Sequence, residues 1–246
     1  MSSTDPDRNY GTGRPSQDPS ESYKLEQTKI KLARGGETSI VYGVPQKIHD
    51  PSTCLIVAHG AGGPMHTPFI RYFHTELAKQ GFLTVKFNFP YMEARRRVPD
   101  RREVLEESYR TIVDQARNGK HKPVRMFIGG KSMGGRIASQ VAANGVDVDG
   151  LFFLGYPLHP IGKTDQLRDE HLYRIKKPML FVSGTRDSFA RRDLLEKVVS
   201  KIGSNARIHW IENGDHSFKT PDAKPGSADA LHEALDSLIA WFQTVA

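Results

Sequence analysis

Residues 129–135 read GGKSMGG, and two chemistries could use them. Gly-Lys-Ser ends a phosphate-binding loop, whereas Gly-x-Ser-x-Gly marks a sharp turn that presents a serine hydroxyl as a nucleophile. The first pattern requires a further glycine five positions before Gly130, and residue 125 is arginine. The segment RMFIG ahead of Gly130 also reads as a strand, not as a loop able to wrap a phosphate. The second pattern asks for a strand, a tight turn and a helix, with small residues two before and two after the nucleophile. VRMFIG, then Gly130 and Gly134 around Ser132, then MGGRIASQVAAN supply all three.

A serine hydroxyl attacks poorly unless a base removes its proton, so the turn calls for an acid and a histidine further along the chain. The acid belongs after the next strand but one, where PMLFVSGTRD ends on Asp187. The histidine belongs after the last strand, where IENGDHSF carries His216. Two plainer readings stand beside these: Asp187 as the cap of a helix starting near Phe189, and His216 as a surface loop residue. Asp215 reads as a turn residue, because an immediate neighbour rarely reaches the ring nitrogen. Acyl transfer also needs N–H donors for a tetrahedral oxyanion. Met133, just after the serine, offers one. The loop HGAGGPM (59–65) offers the other from Ala61 or Gly60, its plainer reading being a turn between strand and helix.

These residues need a scaffold that brings distant loops to one edge. Short apolar runs bounded by loops, the mark of strands buried on both faces, occur at 53–60, 82–90, 124–130, 150–157 and 178–184. Two alternating segments precede them, Lys24–Leu32 and Thr38–Val44, and the less apolar ARIHWIE (206–212) suits an edge. Helical spacing of apolar residues recurs between the runs, as in Val104, Leu105, Tyr109, Ile112, Val113 and Ala116. Strands alternating with helices predict an α/β fold: a mostly parallel sheet of seven or eight strands with helices on both faces. Its ligand site would lie at the carboxyl ends of the strands, where the motif-bearing loops fall.

The set HGAGG, GGKSMGGR, GYPLHP, GTRD and GDHSF resembles the α/β hydrolases, and most of all the hydrolase-like family of the testis-expressed hydrolases and a subunit of the NSL chromatin complex. The resemblance spans about residues 25–245. It implies a triad of Ser132, Asp187 and His216, and a relation to dienelactone-hydrolase-like esterases. Dienelactone hydrolases themselves use a cysteine at the elbow, where this chain has serine; Cys54 opens a buried run and reads as core. The chromatin-associated relative implies a second class of function, a hydrolase-like scaffold for protein partners.

Only residues 158–177 separate two of the apolar runs, so a sizeable lid is not expected. An open serine without a long apolar lid points to a carboxylesterase acting on short-chain acyl esters, with thioesterase and peptidase chemistry open to the same residues. Tyr156, Leu158 and His159 are expected as pocket wall, or else as a structural turn. Lys131 either raises the local positive potential or points to solvent.

Composition narrows the partners. The net charge of +7 arises from 35 basic residues scattered among 28 acidic ones, with one dense cluster, Arg95–Arg97 with Arg101 and Arg102. That cluster reads as a solvated loop and helix start, or as a field for anions. No aromatic interleaving points to nucleic acid, no apolar run approaches the roughly 20 residues of a membrane helix, and no metal-ligand spacing occurs. The chemistry calls for no cofactor, only a small ester. Residues 1–22 read as a disordered tail ahead of one domain at 23–246. A single cysteine and no secretory signal point to the cytoplasm.

Overall fold

The computed structural model describes residues 22–49, 52–221 and 229–245. The tail expected over residues 1–22 therefore lies outside the described residues, apart from Ser22. The chain runs β1 (Tyr23–Lys31), β2 (Glu37–Pro45), β3 (Thr53–Ala58), α1 (Pro68–Lys79), β4 (Leu83–Phe87), α2 (Pro90–Glu93), α3 (Arg102–Asn118), β5 (Arg125–Lys131) and α4 (Met133–Ala143). It continues through β6 (Gly150–Leu154), β7 (Met179–Gly184), α5 (Arg192–Ile202), β8 (Ala206–Ile211) and α6 (Asp229–Thr244). Among the described residues the strands form one eight-stranded sheet in the order β1-β2-β4-β3-β5-β6-β7-β8. β1 and β2 are antiparallel, and β3 to β8 run parallel. The short α2, which opens on Pro90 at a position that suits proline, has no periodic signal in the sequence.

Helices cover both faces, which is why the parallel strands read as unbroken apolar runs. Cys54, Ile56 and Ala58 of β3 turn toward the layer holding Tyr109, Ile112 and Ile137 of α3 and α4. Leu55 and Val57 face the opposite layer, with Phe73 and Leu77 of α1 and Trp241 and Phe242 of α6. Strand order reverses beside β3: the chain leaves it for β4 on one flank and returns to β5 on the other. A crevice opens at such a reversal, and the loops bordering it here are HGAGG, after β3, and the serine turn, after β5.

Close contact between those two strands sets the geometry of the crevice. Ala58 pairs with Gly130 in the parallel ladder. A Cβ on Gly130, whose φ is +146°, would lie 2.2 Å from the Ala58 carbonyl oxygen. One on Gly134 would lie 2.6 Å from the carbonyl oxygens of both Ala58 and His59. The glycines two before and two after Ser132 are thus demanded by the backbone of β3, which lets the start of α4 settle against it.

Two histidines fasten the layers. His59 is fully buried; its Nε2 accepts from the Phe89 amide at 3.0 Å, so the proton sits on Nδ1, which donates to the Gly60 carbonyl at 2.7 Å. His74 of α1 donates from Nε2 to the Val41 carbonyl of β2 at 3.2 Å. Burial pulls the pKa of His59 down to about 4, against a smaller upward pull from its Gly60 bond. Burial, then the charge of Lys86, pulls His74 down to about 3.

Two outcomes are expected. Gly130→Ala should lower unfolding free energy in urea by about 3 kcal/mol through overpacking and backbone strain. Gly145→Ala, at φ +93° with nothing within 4 Å of its Cβ, should cost only about 1–2 kcal/mol; equal losses would contradict the close-approach argument. For pH, an unfolded histidine takes up a proton near 6.5, while the buried rings resist it to about 4 and about 3. The contribution of each ring is whole above pH 6.5. It is lost at up to about 1.4 kcal/mol per pH unit as pH falls toward the folded value. Urea midpoints from pH 7 to 4 would read this as a steady decline, and a flat profile would rule it out.

Candidate active site

Ser132 sits between β5 and α4 with φ 50° and ψ −115°, a strained conformation for a residue with a side chain. Its amide donates to the Leu154 carbonyl at 3.1 Å, extending the β5–β6 ladder, and its carbonyl accepts the helical bond from Arg136. Held this way, the residue ends the strand and starts the helix within one position, and its hydroxyl projects from the sheet edge.

His216 and Asp187 reach it from the loops after β8 and β7. His216 Nε2 lies 2.8 Å from Ser132 Oγ, and its Nδ1 lies 2.8 Å and 3.0 Å from the two Asp187 oxygens. A carboxylate can only accept, so the ring proton sits on Nδ1 and Nε2 is left to accept from the serine hydroxyl. The Asp187 side chain is shut off from water. Its Oδ1 also accepts from the Phe189 amide at 2.8 Å, so the aspartate closes a local turn as well, while α5 begins further on, at Arg192. The two loops are stitched together: the Arg186 amide bonds the Gly214 carbonyl, that of Thr185 bonds Ile211, and that of Asn213 bonds Thr185 Oγ1. Asp215 is a turn residue, its Oδ1 accepting the amides of Ser217 and Lys219.

The HGAGG loop packs beside the serine; a Cβ on Gly60 would lie 3.6 Å from that of Ser132. Its carbonyls are held on the far side. That of Gly60 accepts from His59 Nδ1, and that of Ala61 accepts from the Tyr91 hydroxyl at 3.2 Å. A planar trans peptide sets C=O and N–H in opposite directions, so anchoring the Gly60 carbonyl turns the Ala61 amide away from the core. Met133 is the first residue of α4, and its amide has no acceptor within the helix. His59 and Tyr91 were not singled out from the sequence; a histidine between a buried strand and a glycine-rich turn was the one available signal for the first.

A cavity of about 1470 Å³ opens on Ser132 and His216, walled by the HGAGG loop and by Phe69, Phe189, Phe218 and Leu231. Tyr156, Leu158 and His159, expected in that wall, are instead buried and do not line it. They form a support beneath the site. The Tyr156 hydroxyl donates to the Arg168 carbonyl at 2.8 Å, and His159 Nε2 accepts from the Arg191 amide at 3.0 Å, bracing the Asp187 loop. The wall comes from α1, α6 and the two loops, residues the local pattern marks only as core or turn.

Lys131 lines the cavity and is partly buried, without extending into solvent. It turns under the histidine loop, where Nζ donates to the His216 carbonyl. The arginine cluster is exposed and lies outside the cavity, with Arg96 paired to Asp100 and Arg102 to Glu106. Among the described residues no group of three or more His, Cys, Asp or Glu side chains could hold a metal ion, and no helix is long and apolar enough to cross a membrane.

Comparison with known proteins agrees with this architecture. The chain is similar to a serine hydrolase homologue from Coxiella burnetii at 20% identity over 87% of this chain and 96% of that one, with a TM-score of 0.70. It is similar to a dienelactone hydrolase from Anabaena variabilis at 17% identity over 91% and 98%, TM-score 0.72. A third likeness is to a lidless serine hydrolase from Xanthomonas campestris, at 15% identity over 93% and 98%, TM-score 0.70. At these identities the likeness is one of fold. A family model described as an alpha/beta hydrolase domain matches residues 51–243, the larger part of the chain. By that match, and by a sheet that sets Ser132 on the turn after β5, the protein belongs to the alpha/beta hydrolase family.

Proposed function

We propose that the protein is a serine carboxylesterase that cleaves short-chain acyl esters through an acyl-enzyme. The observation that carries this reading is the hydrogen-bonded row Asp187–His216–Ser132 at the mouth of an open cavity. His216 Nε2 takes the Ser132 proton as Oγ attacks the acyl carbon, and Asp187 holds the ring in the tautomer that can accept it. The amides of Met133 and Ala61 receive the oxyanion. The protonated ring then gives its proton to the leaving alkoxide, and water attacks the acyl-enzyme with the same ring as base. No step needs a metal or cofactor.

Among the described residues no large lid covers the serine, which supports compact acyl groups. The cavity exceeds the roughly 300–1,000 Å³ of common ligand clefts, which leaves room for an alcohol portion larger than the acyl group. The finer placement among the testis-expressed and NSL-subunit hydrolase-like proteins belongs to this proposal and rests on the motifs around Ser132, Asp187 and His216. A scaffold would have no chemical use for the strained serine turn or for the row of hydrogen bonds.

A fluorophosphonate should label the protein at one site, Ser132, and Ser132→Ala should remove the label; a folded protein that stays unlabelled would sink the reading. Asp187→Asn should lower kcat by about 10,000-fold while the protein stays folded. p-Nitrophenyl esters of rising chain length should show kcat/KM falling beyond short acyl groups. Faster turnover of thioesters or peptides would reassign the substrate class.

A further inference from the structure

Lys131 stands beside the nucleophile, yet its ammonium is folded away beneath the histidine. Nζ donates to the backbone carbonyl of His216, and no other donor reaches that oxygen among the described residues. The charge lies 5.3 Å from the ring centroid of Phe69 in α1 and 5.8 Å from that of Phe218, both within reach of a cation–π attraction. Phe218 is buried and takes φ +66° to be there, a conformation L side chains seldom adopt. The third wall is Gly155 at the end of β6. A Cβ on it would lie 3.0 Å from Lys131 Nζ and 2.8 Å from the His216 carbonyl oxygen, so any side chain there would force the two apart. Four separate elements thus close around one hydrogen bond.

The geometry points to Lys131 as a positioning residue that clamps the histidine loop to the strand carrying Ser132, so that His216 Nε2 stays aligned with the serine hydroxyl. This assignment rests on the proposed esterase reading. The loop after β8 has no ladder neighbour beyond it, because β8 is the sheet edge. Its bonds to the β7 loop fix it to the acid. The Lys131 bond is what fixes it to the nucleophile's own strand. A charge-assisted donor is roughly twice as strong as a neutral one, so the clamp is firm while the amine is protonated and slack when it is not.

That protonation changes in an accessible range. Burial pulls the Lys131 pKa down to about 8, against the upward pull of Asp187 and then Asp215. The other ionisable groups lining the shared cavity are Tyr72 of α1, Glu212, His216 and Lys219 after β8, and Asp229 and Glu233 of α6. Wild-type kcat should therefore fall as pH rises through about 8.

The test compares wild type with Lys131→Met, which fills the aromatic box without a charge and has the adaptable shape such a box accepts. In the variant kcat and the rate of fluorophosphonate labelling should drop about 10- to 100-fold, with KM little changed and labelling still complete. The alkaline fall in kcat should vanish. Independently of any ester, the low-field proton resonance of the His216–Asp187 hydrogen bond should be sharp in wild type at neutral pH. It should broaden in Lys131→Met, and in wild type above about pH 8. An unchanged kcat in the variant, a loss confined to KM, or a wild-type resonance indifferent to pH through this range would overturn the clamp. A wild type that resists labelling would overturn the esterase reading instead, and the proton resonance would still judge the clamp. If the variant does not fold, the wild-type pH profile and resonance decide.

Discussion

Where β3 and β5 run side by side, the carbonyl of Ala58 occupies the place that a side chain on Gly130 or Gly134 would need. That contact draws the start of α4 against the end of β3 and forces the chain to change from strand to helix in a single residue. Ser132 is that residue, and its positive φ is the local cost, on the order of 1–3 kcal/mol, carried by the packed sheet around it. The same approach sets the HGAGG loop beside the serine. One steric constraint thus sets the serine turn and the HGAGG loop side by side.

The remaining parts are held by backbone hydrogen bonds made at the sheet edge. The loops after β7 and β8 bond to each other through their backbones, and Asp187 bonds the ring of His216, which alone of the two reaches Ser132, so aspartate and histidine are held as a unit. His59, buried and neutral, fixes the Gly60 carbonyl and, through peptide planarity, the direction of the next amide. His159 supports the aspartate loop from below. The residues that touch the cavity are therefore positioned by others that never reach it.

Much of this was legible in the chain. Buried runs showed the strands, period 3.6 showed the main helices, and the order Ser132, Asp187, His216 matched three loops on one edge. These signals are local, a few residues of pattern each. For Tyr156, Leu158 and His159 the sequence left pocket wall and structural turn both open, because proximity in sequence to a strand end does not say which side of the sheet edge a side chain takes. All three turn inward, under the loops rather than into the cavity. The short α2 escaped notice because four residues carry no period.

Sequence by itself determined which residue could be the nucleophile, since the flanking glycines, the strand before and the small-residue helix after are fixed by neighbours along the chain. It also determined the order of the partners and the α/β class. Only the tertiary structure decided where the Lys131 side chain lies, where the cavity runs and which carbonyls of the HGAGG loop are anchored. Lys131 and the carbonyl it holds are 85 residues apart, and Ser132 and His216 are 84 apart. Contacts of that separation depend on how strands are ordered in a sheet, and strand order leaves no local trace in composition or period.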